Sequence, residues 1–227
     1  MKLMIAVPVY GDVKLEFMKS LIALVERMKD TGVRYEVRTK EGTLIHMARE
    51  QLAAEAINEG YTHILWLDCD MQFEGDVFER LAETGKRFVS GIYCTRRLPV
   101  RRTIFRSMLP VVPFERIPEG NAPESKGRVF EPADHVFEIA GCGFACVLTE
   151  VSLLKEVLQK RGTLFTPTRE YSEDLALCVR VHDIGEKMFA RGDVRLGHAG
   201  NFVYWPEDAE ALNAAAKTAA EKSAAAK

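Results

Sequence analysis

Residues 62–70 read Thr62-His63-Ile64-Leu65-Trp66-Leu67-Asp68-Cys69-Asp70, and this stretch decides the fold. Its apolar run predicts a buried β-strand over Thr62–Leu67, the clearest strand in the chain. The strand runs without a spacer into two carboxylates. In extended backbone, residues i and i+2 point the same way, so Asp68 and Asp70 can face one cation with Cys69 turned inward. Hard divalent ions take oxygen ligands, and magnesium or manganese commonly uses one or two carboxylates together with phosphate oxygens. Capping of the next helix, or surface ion pairing, is the plainer use of such a pair. The strand immediately before it favours the metal.

Upstream, the pattern alternates. Leu3–Val9 is a continuous apolar run ended by Tyr10-Gly11-Asp12, which predicts a second buried strand and a loop. Residues 14–29 place Leu15, Met18, Leu21, Ile22, Val25 and Met28 at helical spacing before Thr31-Gly32 stops the helix. Val33–Arg38 alternates apolar and polar, as a strand near a sheet edge does. A second helical pattern runs from Thr43 to Asn58 and closes at Gly60. Beyond Asp70, a helix near 75–85 and a strand at Phe88–Tyr93 continue the alternation. Strand–helix–strand–helix–strand with short connections predicts an α/β fold on a mostly parallel sheet, and such sheets bind ligands beyond the carboxyl ends of their strands.

The second half has a different texture. Residues 96–114 carry five arginines, Arg96, Arg97, Arg101, Arg102 and Arg106, and no acid. They read either as a solvated face or as phosphate contacts, for which the guanidinium fork is well suited. Residues 115–134, rich in Pro, Gly, Glu and Lys, predict a surface excursion. Val136–Ala140 leads into Gly141-Cys142-Gly143, and a helix is expected to start near Thr149 with Thr149 as its N-cap. Ser172-Glu173-Asp174 opens an amphipathic helix that Gly185 ends, and short strands near 187–190 and 194–198 follow. From Pro206 the chain is Ala, Glu and Lys, which predicts a solvated or frayed helical tail with no chemistry in it.

Composition removes several classes. The 227 residues hold 31 basic and 33 acidic side chains, so no whole-molecule field drives the chain onto nucleic acid or membrane. No apolar run approaches the ~18 residues a bilayer span needs. Five cysteines without a CxxC pair argue against a disulfide framework or a zinc cluster, and the expected compartment is the cytoplasm. A single domain over 1–205 is expected, with a nucleotide-binding half at 1–95, an acceptor half at 96–205 and the tail at 206–227.

Several pieces recur in a familiar order: Val7-Pro8-Val9-Tyr10, Ala48-Arg49, Leu67-Asp68-Cys69-Asp70, Gly91-Ile92-Tyr93, Gly141-Cys142-Gly143-Phe144, Ser172-Glu173-Asp174-Leu175 and Gly197-His198. As an ordered set they make the chain resemble GT-A type nucleotide-sugar glycosyltransferases of the family 2 group, including short phage-encoded members. The resemblance implies a metal-dependent transfer, using Mn2+ or Mg2+, of a sugar from a nucleotide donor such as a UDP-sugar. It implies that Pro8, Val9, Tyr10 and Asp12 hold the base and ribose, that Arg49 positions the base or diphosphate, and that Asp68 meets the ribose or reaches the metal through water. Asp70 and His198 become the metal ligands. Asp174, ahead of Glu173, becomes the general base toward an acceptor hydroxyl. An acidic first turn that satisfies the helix dipole is the alternative use of these two acids. The family often has Asn after the arginine, where this chain has Glu50. Gly141 and Gly143 are expected to let a sugar lie against backbone. Arg96, Arg97, Arg101 and Arg102 are expected at phosphates of the donor or of a polyanionic acceptor; modified bases of phage DNA, saccharides and lipid-linked acceptors all stay open. His46, His63, His135 and His182 carry no partner pattern and read as structural. Two rival functions remain: a sugar-nucleotide-forming nucleotidyltransferase, and a non-catalytic polyanion-binding module.

Overall fold

The computed structural model describes residues 1–42, 44–114 and 136–225. Strand β1 (Lys2–Val9), helix α1 (Leu15–Met28), strand β2 (Arg34–Glu41), helix α2 (Ile45–Asn58) and strand β3 (His63–Leu67) form the first half. Strand β4 (Met71–Gln72), helix α3 (Val77–Ala82) and strand β5 (Phe88–Ile92) follow. The second half contains β6 (Ile104–Met108), β7 (Val111–Pro113), β8 (Val136–Ile139), β9 (Gly141–Cys142) and β10 (Cys146–Glu150), then α4 (Val151–Arg161) and α5 (Glu173–Asp183). Strands β11 (Met188–Arg195), β12 (Gly197–Ala199) and β13 (Val203–Tyr204) lead through a short 3-10 turn to α6 (Ala209–Ala225).

The central sheet has seven strands in the order β2-β1-β3-β10-β5-β11-β8. Strands β2, β1, β3, β5 and β11 share one direction, while β10 and β8 run against it. The mostly parallel α/β sheet and the C-terminal helix expected from the sequence are both present, and β2 lies at the edge. Crossover helices cover both faces, which is why β1 and β3 are buried almost throughout and read as unbroken apolar runs. On one face Trp66 meets Phe144 and Phe165 edge-on at 5.7 and 5.2 Å. Such pairs add about 0.5–1.5 kcal/mol beyond the area they bury.

Three expectations need correction here. Thr149 is not a helix cap: it lies within β10, fully buried, and its hydroxyl accepts the Trp66 indole N–H at 3.0 Å. Helix α4 begins two residues later, after Glu150, with no side-chain cap. The strand was hidden because Cys146-Val147-Leu148 runs into a helical segment without a Gly or Pro between them. The tail is also more than a solvated appendage. Ala209 and Leu212 at the start of α6 pack with Cys94, Val100 and Tyr204, and Asn213 bonds both backbone groups of Val100 at 2.7 and 2.9 Å. Residues 217–222 are exposed, as expected of an Ala/Lys/Glu helix. The two short strands expected near 187–198 are one strand, β11, with a register shift between Ala190 and Arg195, followed by β12. The surface excursion and His135 lie outside the described residues. Among the described residues no helix is long and apolar enough to cross a membrane.

Replacing Thr149 by Val keeps the shape and removes the acceptor for a buried indole N–H. An unsatisfied buried donor costs about 1–3 kcal/mol. Thr149→Val should lower the urea midpoint accordingly, with the denaturant slope unchanged.

Candidate active site

The carboxyl ends of β1 and β3 and the start of α2 open a cleft of about 390 Å³. Pro8 and Tyr10 line it from β1, and Asp68, Cys69 and Asp70 line it from the turn after β3. Leu44, Ile45 and His46 form the wall on the α2 side, and Arg96 closes the rim. Tyr10 is 67% exposed there, so its ring is free to meet a ligand face. Of the other nucleotide-site candidates, Val9 is half-buried and its carbonyl accepts from the Gly42 amide, while Asp12 is exposed with its carbonyl near the Cys69 thiol. Neither lines the cleft. His46, which has no partner pattern in sequence, does.

Asp68 and Asp70 both reach the cleft but have opposite partners. Asp68 Oδ1 accepts from Arg49 Nη2 at 2.8 Å, and Arg49 Nη1 donates to Glu173 at 2.7 Å. The Arg49 side chain is only 4% exposed, so a buried guanidinium from α2 links the end of β3 to the start of α5. It also lies 5.5 Å from the Phe144 ring centroid, within cation–π range. Both terminal nitrogens face carboxylates. Arg49 therefore holds the cleft's floor together, in place of the direct contact with a base or diphosphate expected of it. Burial pushes the Asp68 carboxyl up, Arg49 draws it partly back, and the Asp70 charge adds to the push.

Asp70 Oδ2 accepts from Arg96 Nη1 at 2.6 Å and lies 3.3 Å from His198 Nε2. Burial raises the Asp70 carboxyl, but the His198 contact and the positive charge beside it outweigh burial and hold it below the usual carboxylate range. His198 Nδ1 lies 2.8 Å from the Cys94 carbonyl, which can only accept, so Nδ1 carries a proton. In the neutral ring Nε2 then offers its lone pair toward a carboxylate oxygen. Two acceptors aimed at one another are reconciled by a positive species between them, a proton or a metal cation. One imidazole nitrogen and one carboxylate oxygen suit manganese, and the carboxylate suits magnesium. Among the described residues no group of three or more His, Cys, Asp and Glu gathers around a metal position. Tyr93 packs edge-on to the His198 ring at 5.7 Å and fixes its plane. Gly197 lets Val203 and Trp205 close over the adjoining backbone, since a Cβ there would collide with the Val203 side chain.

Asp174 sits in the first turn of α5, and its Oδ1 accepts from the Leu175 amide at 2.7 Å and from the Ser172 hydroxyl. Those two bonds set its rotamer. The expected open backbone at Gly141 and Gly143 is not present. A Cβ on Gly143 would collide with the Tyr93 hydroxyl and one on Gly141 with the Met108 sulfur, so these glycines admit protein side chains and not a sugar. Glu50 is likewise committed within the chain, where its Oε1 accepts from the Thr163 hydroxyl and from the Leu164 and Phe165 amides. Of the arginines, Arg96 and Arg102 bond inside the chain, the latter to the Pro206 carbonyl, while Arg97, Arg101 and Arg106 are exposed.

No family model matches the chain, and no curated protein does. Among solved structures it is similar to A197 from STIV, at 16% identity and a TM-score of 0.58, over 88% of this chain and 86% of that one. That likeness establishes a shared fold. A glycosyltransferase involved in glycosylation of the major capsid of PBCV-1 is more distant, at 12% identity and a TM-score of 0.36, over 73% of this chain and 71% of that one. At that score two chains need not share a fold.

Replacing Arg49 by Met leaves Asp68 and Glu173 half-buried without their shared cation. Breaking a buried ion pair from one side costs about 3–5 kcal/mol. The Asp68 carboxyl is already raised, so on acidification the folded state takes up that proton before the unfolded chain does, and losing Arg49 strengthens this. Arg49→Met should thus show its full deficit at neutral pH and a smaller one near pH ~4, by chemical denaturation at both values.

Proposed function

We propose that the chain is a metal-dependent glycosyltransferase, moving a sugar from a nucleotide donor such as a UDP-sugar to an acceptor hydroxyl. The observation that carries this reading is the pairing of His198 Nε2 with Asp70 Oδ2 at 3.3 Å, Asp70 itself lining a cleft at the carboxyl edge of the sheet. When bound, Mn2+ or Mg2+ supplies the positive charge that stabilises a departing nucleoside diphosphate. Asp70 and His198 would hold it, with donor phosphate oxygens as its further ligands. Tyr10 and His46 offer ring faces to the base, Pro8 shapes the cleft beside them, and Asp68, steadied by Arg49, accepts from a ribose hydroxyl. Asp174 is the candidate base for the acceptor proton in an inverting transfer, because Glu173 is engaged by Arg49.

The exposed Arg97, Arg101 and Arg106 favour an acceptor that carries phosphate, of which DNA is one example. The nucleotidyltransferase reading is supported less well, since the loop Tyr10-Gly11-Asp12-Val13-Lys14 is short, with one glycine and one acid against one lysine, where such enzymes use a glycine-rich basic loop.

The direct test is thermal stability with UDP, UDP-sugars and other nucleotides, with Mn2+ and with chelator. A ligand at 100 times its dissociation constant stabilises by about 2.7 kcal/mol. A nucleotide-dependent rise that needs Mn2+ and vanishes in Asp70→Ala is expected. No rise with any nucleotide overturns the donor site, and pyrophosphate release from a nucleoside triphosphate and a sugar phosphate would select the rival enzyme. For the acceptor, neutralising Arg97 and Arg101 should flatten the salt dependence of DNA binding by about one unit per lost phosphate contact. An unchanged slope removes DNA.

A further inference from the structure

Arg96 occupies a place that the cation and the donor both need. Its Nη1 donates to Asp70 Oδ2 at 2.6 Å and to the Ala199 carbonyl at 3.2 Å. The oxygen it caps is the same one that faces His198. The side chain is 47% exposed, so charge holds it there more than packing does. Its stem passes beside Gly200, whose Cβ position lies 3.5 Å from Arg96 Cβ and Cδ.

The loop that carries Arg96 is anchored at both ends. Cys94 bridges to Arg102, and the Thr95 amide and hydroxyl bond the backbone of Arg101. Asn213 of α6 fastens Val100 from below. The backbone is thereby held, while the Arg96 side chain is half exposed and held through Nη1 alone in its bonds to Asp70 and Ala199. The Cys94 carbonyl of the same loop orients His198, so one segment controls both groups of the candidate metal pair.

We propose that Arg96 is a resident counter-ion of Asp70 that a divalent cation displaces, the freed guanidinium then turning to the phosphates of the incoming nucleotide. The proposal rests on the metal and nucleotide reading above and adds a coupling to it. Guanidinium and metal compete for one carboxylate oxygen, so Arg96 weakens binding of the metal alone. Once displaced, it finds bidentate partners on phosphate. Metal without nucleotide leaves Arg96 without its anionic partner, and nucleotide without metal finds Arg96 engaged on Asp70. Each ligand therefore improves the binding of the other, by the same factor in both directions.

The test is titration of Mn2+ alone, of UDP alone, and of each in the presence of the other, by calorimetry and by the paramagnetic signal of free Mn2+. Wild type, Arg96→Gln, Arg96→Lys and Asp70→Asn are compared. Arg96→Gln should bind Mn2+ alone roughly two- to fivefold more tightly, the scale of a partly exposed ion pair, while the mutual enhancement of Mn2+ and UDP falls by a similar factor, to what direct contact of phosphate with the metal supplies. Arg96→Lys, which keeps charge without the fork, should fall between. If Asp70→Asn abolishes Mn2+ binding but Arg96→Gln binds it no more tightly than wild type, the counter-ion role is overturned and the metal reading stands. If wild type binds no Mn2+, or Asp70→Asn binds it equally well, the metal reading fails and takes this proposal with it.

Discussion

A buried guanidinium between two carboxylates is the constraint on which the cleft depends. Arg49 is almost out of water, and an ionised group there is tolerated only with opposite charge and hydrogen bonds in place. Asp68 comes from the end of β3, Glu173 from the start of α5, and Arg49 from α2. Three elements distant in sequence are thus brought to one point. The geometry admits little variation, because each partner oxygen lies within 2.8 Å of its nitrogen. Phe144 beneath the guanidinium ties this arrangement to the aromatic core through Phe88 and Phe165. Packing energy in the interior therefore maintains the position of a carboxylate at the mouth of the cleft.

Legibility from sequence followed the strength of local signals. The first half, apart from the two-residue β4, was readable to within about three residues because apolar runs and helical periods alternate there with Gly stops, as at Gly32 and Gly60, both with positive φ. Strand β10 was not readable, since its apolar residues adjoin α4 and Thr149 looks like a cap in one dimension. Only the antiparallel pairing with β3 and β5 makes it a strand, and that pairing is a tertiary fact. Asp68 and Asp70 could be named because they follow directly on an apolar strand, and His198 only through the resemblance. What they bond could not. Neither the Arg49 bridge, spanning residues 49 to 173, nor the closing of Gly141 and Gly143 by Met108 and Tyr93 leaves a local trace. The arginine run shows the same limit: composition counts five charges alike, although two are spent inside the chain and three face solvent.

Helix α6 makes the point from the other direction. An Ala-rich segment without an apolar stripe carries no sequence signal for docking, yet one small residue and one amide suffice. Ala209 lets the helix approach Cys94 and Val100 closely, and the Asn213 amide accepts from the Val100 N–H and donates to the Val100 carbonyl. The loop it supports is the one that delivers Arg96 and orients His198.

Charge balance around the cleft bears on which ligand it suits. Asp68, Asp70, Glu173 and Asp174 bring four carboxyl groups, against two guanidinium groups from Arg49 and Arg96. Carboxyl groups thus outnumber guanidinium groups by two. A bare diphosphate meets net repulsion there, and so does any polyanion bound through this cleft alone. Arg49 cannot relieve it, because its two terminal nitrogens are spent on carboxylates in the floor. Arg96 relieves it only by leaving Asp70, which exposes another negative charge. An anion enters such a site more favourably in company with a divalent cation than alone. The exposed arginines outside the cleft are then the ones left to meet a second, separate anion.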